Sequence, residues 1–206
     1  MFEASRCAPR AIGGSETRCH ASLVSKGAFD DTTAMSARAP KSVRLEPMSD
    51  ADFRDSVQRS VARHAADYVR RGLWAAEGSL EVSKKEFAEF LPQGRETPDR
   101  HFASVVDRET GQRVGETWYL IRPRAGKVRF WIDWIWIDPN HRRKGYAVAT
   151  LLRLEEDARR MGADRVGLSV WFDNPGAIAL YQKLGYAPAS MWMMKSLERA
   201  IDGRTR

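Results

Sequence analysis

The run Val128-Arg-Phe-Trp-Ile-Asp-Trp-Ile-Trp-Ile137 constrains this chain more than any other segment. Its β-branched and aromatic residues favour a strand. A loop, Asp138-Pro-Asn-His-Arg-Arg-Lys-Gly145, follows directly, and a helical pattern runs on to Met161. A strand, a short basic loop with a glycine and a helix start together make a holder for phosphate. The unpaired amides at a helix start point outward, and the peptide dipoles add partial positive charge there. Arg142, Arg143 and Lys144 add full charges. Gly145 has no Cβ, so the backbone can come close to a ligand.

The remaining composition narrows the partners. The 206 residues suffice for one domain with a real core, and 43% of them are hydrophobic. No apolar run approaches the roughly 20 residues that span a bilayer, so no membrane partner is expected. The net charge of +7 favours anionic partners. Acidic residues are interspersed among the basic ones, which reads as a solvated, mildly basic surface and not as a nucleic-acid stripe. The two cysteines, Cys7 and Cys19, both fall in the first twenty residues. A disulfide scaffold is therefore excluded for the folded part, and a cytoplasmic home is expected. Cys7, Cys19 and His20 lack the paired spacing of a closed zinc site, so no metal is expected.

Residues 1–42 are rich in Ser, Ala, Gly, Thr and Arg and show no sustained periodicity. Two readings stand: a disordered extension, or a chain whose translation starts at Met35. Order is expected over 43–198, with 199–206 as a tail. Ser42 to Met48 alternates as a short strand. Ser49 with Asp52 resembles a capping box, and Phe53, Val57, Val61, Ala65 and Val69 recur at helical spacing up to Gly72. A second box, Ser83-Lys-Lys-Glu86, opens a short helix that Pro92 ends. His101 to Asp107 and Arg113 to Ile121 form a hairpin, and the turn Pro123 to Lys127 leads into the long strand. The main helix spans Lys144 to Met161, with a strand at Arg165 to Phe172. A helix begins at Asn174 and ends at Gly185, and Met191 to Leu197 is a closing strand. The order βααβββαβαβ is an α/β fold with a mixed sheet, because the hairpins must be antiparallel.

Two motifs coincide on this framework. Arg142-Arg-Lys-Gly145-Tyr-Ala147 matches the Q/R-x-x-G-x-G/A signature of the GNAT N-acetyltransferase superfamily, and Asn174-x-x-Ala177-x-x-x-Tyr181-x-x-x-Gly185-Tyr186 matches its second signature. Ala147 replaces the usual second glycine, a change that family tolerates. The chain thus resembles that superfamily over roughly residues 43 to 198. The resemblance implies a mostly antiparallel sheet splayed at the cofactor site, with helices on both faces. It implies acetyl-CoA as co-substrate, its pyrophosphate on the amides of Arg142, Arg143, Lys144, Gly145, Tyr146 and Ala147. It further implies that the backbone of Ile135, Trp136 and Ile137 pairs with the pantetheine arm and that Asn174 contacts the cofactor. Tyr181 stands where such proteins often place a general acid for the departing thiolate. Homodimers occur among them, so self-association is an expectation of the same kind.

Amine acetylation needs a neutral amine, an oxyanion donor and a proton for the thiolate, and it needs no covalent enzyme intermediate. Asp133 is the only carboxylate inside the long strand. A charge in such apolar surroundings is costly unless paired or wet. It is either a general base with a pKa raised by burial or a structural carboxylate that caps amides or pairs with Arg129. Tyr181 has the parallel alternative of a packed ring with a wet hydroxyl. Trp131, Trp134 and Trp136 read as sheet-face packing. His64 and His101 read as surface residues, His141 as a polar loop residue. Glu77 and Trp74 fall where the resemblance puts the acceptor site. The acceptor itself, from polyamine and amino acid to peptide, is left open. A non-catalytic acyl-CoA-binding or regulatory module is the alternative to an enzyme.

Overall fold

A computed structural model describes residues 41–195 except Ala125. The cysteines, His20 and the expected extension up to residue 40, with the expected tail, lie outside the described residues, while Lys41 and Ser42 of that extension are described. The described chain separates into two compact units, divided between Ser169 and Val170.

In the first unit, five strands form one sheet in chain order: β1 (Val43–Pro47), β2 (Arg100–Asp107), β3 (Arg113–Arg124), β4 (Lys127–Ile137) and β5 (Ala163–Leu168). The first three pairings are antiparallel and β4–β5 is parallel. Helices α1 (Asp50–Arg70) and α2 (Ser79–Phe90) lie between β1 and β2 in sequence, and α3 (Tyr146–Arg160) between β4 and β5. The alternation of each strand sends its apolar residues to two cores. Met48, Phe102 and Trp118 pack with Val61 of α1 and Phe87 of α2. Val43, Val105, Val114 and Ile137 pack with Tyr146 and Ala149 of α3. Helices therefore cover both faces, as expected.

Local signals set several boundaries. Ser49 caps α1, its Oγ accepting from the Asp52 amide at 3.1 Å. Asp107 shapes the β2–β3 turn by accepting from the amides of Glu109 at 2.7 Å and Thr110 at 3.2 Å. Between β3 and β4 the turn is tighter than expected, because Arg124 pairs directly with Lys127. Gly115 is required on β3, since a Cβ there would stand 2.3 Å from the Trp136 carbonyl oxygen.

Three expectations are corrected. Ser83 opens no helix: α2 starts at Ser79, and the buried Ser83 hydroxyl donates to the Val61 carbonyl at 2.9 Å, joining α2 to α1. The strand after α3 covers Ala163–Leu168 and stops short of Phe172. Residues 191–195 hold no regular secondary structure, and Ser196 and Leu197 lie outside the described residues, so the closing strand is not formed over its described part. Met191 to Met194 is a short apolar run, and such a run carries no periodicity to specify a strand.

A buried polar knot ties α1 to the sheet. Glu116 of β3, fully buried, accepts from Ser56 Oγ at 2.7 Å, Arg59 Nη2 at 2.7 Å and Arg113 Nη2 at 2.9 Å. Trp118 Nε1 donates to Ser56 Oγ at 3.0 Å. Removing one side of a fully buried ion pair costs about 3–5 kcal/mol. Here both guanidinium side chains keep about a third of their surface, 34% and 35%, in water. Glu116→Gln is therefore expected to lower the unfolding free energy by about 2 kcal/mol, read from the urea midpoint at unchanged slope.

Candidate active site

The site is built on the second half of β4. Parallel pairing with β5 ends at Ile132↔Leu168, and β4 runs on to Ile137 without β5 beside it. At the same point the β3 register slips: Trp118 faces Trp134, Tyr119 faces Ile132, and Asp133 is the extra residue. A bulge of this kind re-aims a side chain and bends its strand. Thus the strand parts from β5 where its one acidic residue is displaced.

Asp133 Oδ2 accepts from Arg100 Nη1 at 2.5 Å. Both side chains are largely buried, at 11% and 13% exposure. Burial pushes the Asp133 carboxyl up to about 6, against the opposing pull of Arg100. The Arg100 guanidinium lies 3.5 Å from the ring centroid of Phe90 on α2. Asp133 thus forms its ion pair with Arg100 of β2, while Arg129, one of the alternatives open from the sequence, acts on it through space. Trp134 and Trp136 are half-buried under the α1 guanidiniums of Arg63 and Arg59, at 5.6 and 4.6 Å.

Beyond Asp133 the main chain alternates. The Asp138 amide donates to the Val114 carbonyl at 2.9 Å. By the two-residue period of an antiparallel ladder, Trp136 also turns its main chain toward β3, while Ile135 and Ile137 turn theirs toward the side β5 has left. Arg142 Nε occupies the Ile137 carbonyl at 3.0 Å. Within the first unit, the edge therefore offers the main chain of Ile135 and the amide of Ile137, whose carbonyl is taken by Arg142. Trp136 offers its side chain on the α1 face and no main-chain group on that edge.

The edge leads into the loop. Asp138 closes a single 3₁₀ turn by accepting from the Asn140 amide at 2.9 Å, and Lys144 Nζ reaches back to the Asn140 carbonyl at 2.7 Å. Backbone φ is +59° at Arg143 and +90° at Gly145, the left-handed curl that turns successive N–H groups toward one anion. The N-cap position of α3 is Gly145, which has no side chain to cap it, so the first amides of the helix keep their donors directed outward. Arg142, Arg143, Lys144 and Gly145 are exposed. Tyr146 is different: its ring is buried, and its hydroxyl donates to the buried Asp107 of β2. Lys41 pairs with the same carboxylate at 3.2 Å. The Tyr146 hydrogen bond, followed by those of the turn amides and Lys41, holds the Asp107 carboxyl well below the usual carboxylate range despite its burial. This anchor fixes the first turn of α3 against the sheet.

The second unit holds the other expected residues. Asn174 caps α4 (Pro175–Lys183), its Oδ1 accepting from the Ala177 amide at 3.2 Å. Tyr181 lies on α4, 5.8 Å from Tyr186 between ring centroids, and burial pushes its phenol up.

Among the remaining candidates, His64 is not a bare surface residue. Its Nδ1 is 3.2 Å from Ser83 Oγ, and its ring packs on Tyr68, Trp74 and Phe87. Burial lowers its proton affinity. His101 stacks on Tyr119 at 5.2 Å. Glu77 is exposed. Arg100 is the residue that sequence reasoning missed, and no local pattern marks it.

The model described as acetyltransferase (GNAT) family matches residues 66–186. The chain is 31% identical over 153 residues to "Uncharacterized N-acetyltransferase YdgE" of Bacillus subtilis (strain 168), covering 74% of this chain and 97% of that one. It is 31% identical over 155 residues to "Uncharacterized N-acetyltransferase YycN" of the same strain, covering 75% and 99%. The crystal structure of YycN from Bacillus subtilis superposes with a TM-score of 0.71 at 30% identity, over 77% of this chain and 100% of that one.

Proposed function

The chain belongs to the acetyltransferase (GNAT) family, and from that premise we propose that it moves an acetyl group from acetyl-CoA to a primary amine by direct attack in a ternary complex. The observation that carries the reading is the parting of β4 from β5 at Asp133. The open edge runs from there to an uncapped helix start with three basic side chains. An elongated thioester with a polyanionic end fits that course.

In this reading the diphosphate rests on the amides of Lys144, Gly145, Tyr146 and Ala147, with Arg142 and Arg143 adding charge. The pantetheine arm pairs with the main chain of Ile135 and Ile137, beside Trp136, and Asn174 adds a contact through its amide nitrogen. The acetyl carbon then lies near the bulge. The amine nitrogen attacks it, the N–C bond forms, and the C–S bond breaks. The ammonium proton goes to Asp133, directly or through one water, and Tyr181 donates to the leaving thiolate. Arg100 holds Oδ2 of Asp133, which leaves Oδ1 for the proton. Attack makes the nitrogen far more acidic than a free ammonium, so a base near 6 suffices.

Calorimetry with CoA and a broad amine panel with thiol detection test the proposal. CoA uptake with amine-dependent thiol release supports it. Uptake without release from any amine would instead mark a non-catalytic acyl-CoA-binding module, and no uptake would end both readings. Tyr146→Phe breaks the anchor to Asp107 and leaves the basic residues of the loop in place. It is expected to raise the CoA Kd about three- to tenfold, measured by the same calorimetry.

A further inference from the structure

A single bond holds the Asp133 carboxylate. Its Oδ2 accepts from Arg100 Nη1, and among the described residues its Oδ1 accepts from none. A guanidinium and a carboxylate often meet through two parallel bonds instead, with one fork on both oxygens. Arg100 has the donors for that form, so something keeps its fork from turning onto Oδ1.

Phe90, the last residue of α2, is in place to do so. Its ring centroid lies 3.5 Å from the central guanidinium carbon of Arg100, so the guanidinium rests on the ring face. The Arg100 side chain is 13% exposed and that of Asp133 11%. The contact is largely desolvated, where attraction between a cation and a ring is strongest. Phe90 is half-buried, and Phe87 meets its ring edge-on at 6.2 Å. The ring is therefore fixed, and it sets the plane of the guanidinium stacked on it. The other charges that act on Asp133 are Arg129 on its own strand and Arg122 of β3. Arg122 is paired with Asp99 at 3.1 Å. Both arginines repel the Arg100 guanidinium, and the ring opposes its displacement. We propose that Phe90 is a positioning residue for the base: by holding Arg100 end-on to Oδ2, it keeps Oδ1 of Asp133 open for the proton of the amine. The proposal rests on the reading of Asp133 as the base of acetyltransfer. It gives the helix α2 a part in the chemistry without contact to the reacting atoms.

The test replaces the ring in the full chain and reads the carboxyl directly. Carbon-13 NMR follows the aspartate carboxyls through a pH titration, with the Asp133 signal assigned by Asp133→Asn. Phe90→Leu keeps an apolar side chain and removes the ring face, so Arg100 turns onto both oxygens. A second N–H on the charged form favours that form. The Asp133 midpoint, near 6 in the wild type, is expected to fall by about one pH unit. With an amine that turns over, kcat is expected to fall about tenfold and its acid limb to move down with the midpoint, while KM for the amine and the CoA Kd stay in place. Phe90→Tyr restores a ring face and should keep the wild-type midpoint. Lysine presents a point charge and not a fork, so in an Arg100→Lys background Phe90→Leu should leave the midpoint where it is. A midpoint that is unmoved or raised in Phe90→Leu overturns the proposal. So does an equal shift in Phe90→Tyr, or a shift that survives in the Arg100→Lys background. Each of these results leaves the acetyltransfer reading standing. The NMR titration does not depend on finding the amine. Loss of the base reading itself shows differently, as an Asp133→Asn variant with wild-type rate and acid limb, and it takes this proposal with it.

Discussion

Asp133→Asn is expected to lower kcat/KM by about 10²- to 10⁴-fold and to change the shape of its pH profile. The carboxyl sits near 6, raised by burial against the pull of Arg100. A base works deprotonated, so wild-type activity should fall as pH drops through about 6. The asparagine variant has no such group and should lose that limb. A second limb at higher pH belongs to the amine, which must be neutral to attack, and both proteins share it. Asparagine keeps an oxygen that can accept from Arg100, so the bulge should persist, checked by an unchanged CoA affinity, although loss of the buried ion pair is expected to shift the urea midpoint. A variant that kept both the rate and the limb would make the Asp133–Arg100 pair structural.

What could be read from sequence was what lies close in sequence. The loop from Asp138 to Gly145 is continuous, and its glycine, its cations and the helix that follows are visible together. Ser49 and Asp52 cap α1 from three residues apart. Ser83 and Glu86 have the same spacing, yet the Ser83 hydroxyl goes to the Val61 carbonyl on another helix. The spacing is identical, and the tertiary partner decides. Asp133 shows the same limit. Proximity along one strand makes Arg129 its neighbour, but the bulge arises only from the β3–β4 register. Its actual partner, Arg100, reaches it across the intervening β3. His64 follows the rule too, since its neighbours Tyr68, Trp74 and Phe87 meet only when α1 and α2 pack.

Tyr181→Phe is expected to slow turnover by about 10²-fold, the lower end of the general-acid range, with CoA affinity retained. The size follows from proton affinities. A thiol ionises near 8.5 and a phenol near 10 in water, and burial pushes Tyr181 higher still. Full transfer to the thiolate is therefore uphill, and the hydroxyl acts mainly by donating a hydrogen bond as charge develops on sulfur. Two consequences separate this residue from Asp133. A phenol held above its ordinary value stays protonated throughout an assay from about pH 6 to 9, so the penalty should be the same at every pH in that range. The penalty should also shrink when the leaving thiol is made more acidic, because a better leaving group needs less stabilisation. Rates with acetyl-CoA and with an acetyl thioester of a more acidic thiol, for wild type and Tyr181→Phe, measure this directly. An equal penalty for both thioesters would move Tyr181 from the leaving group to the packing of α4.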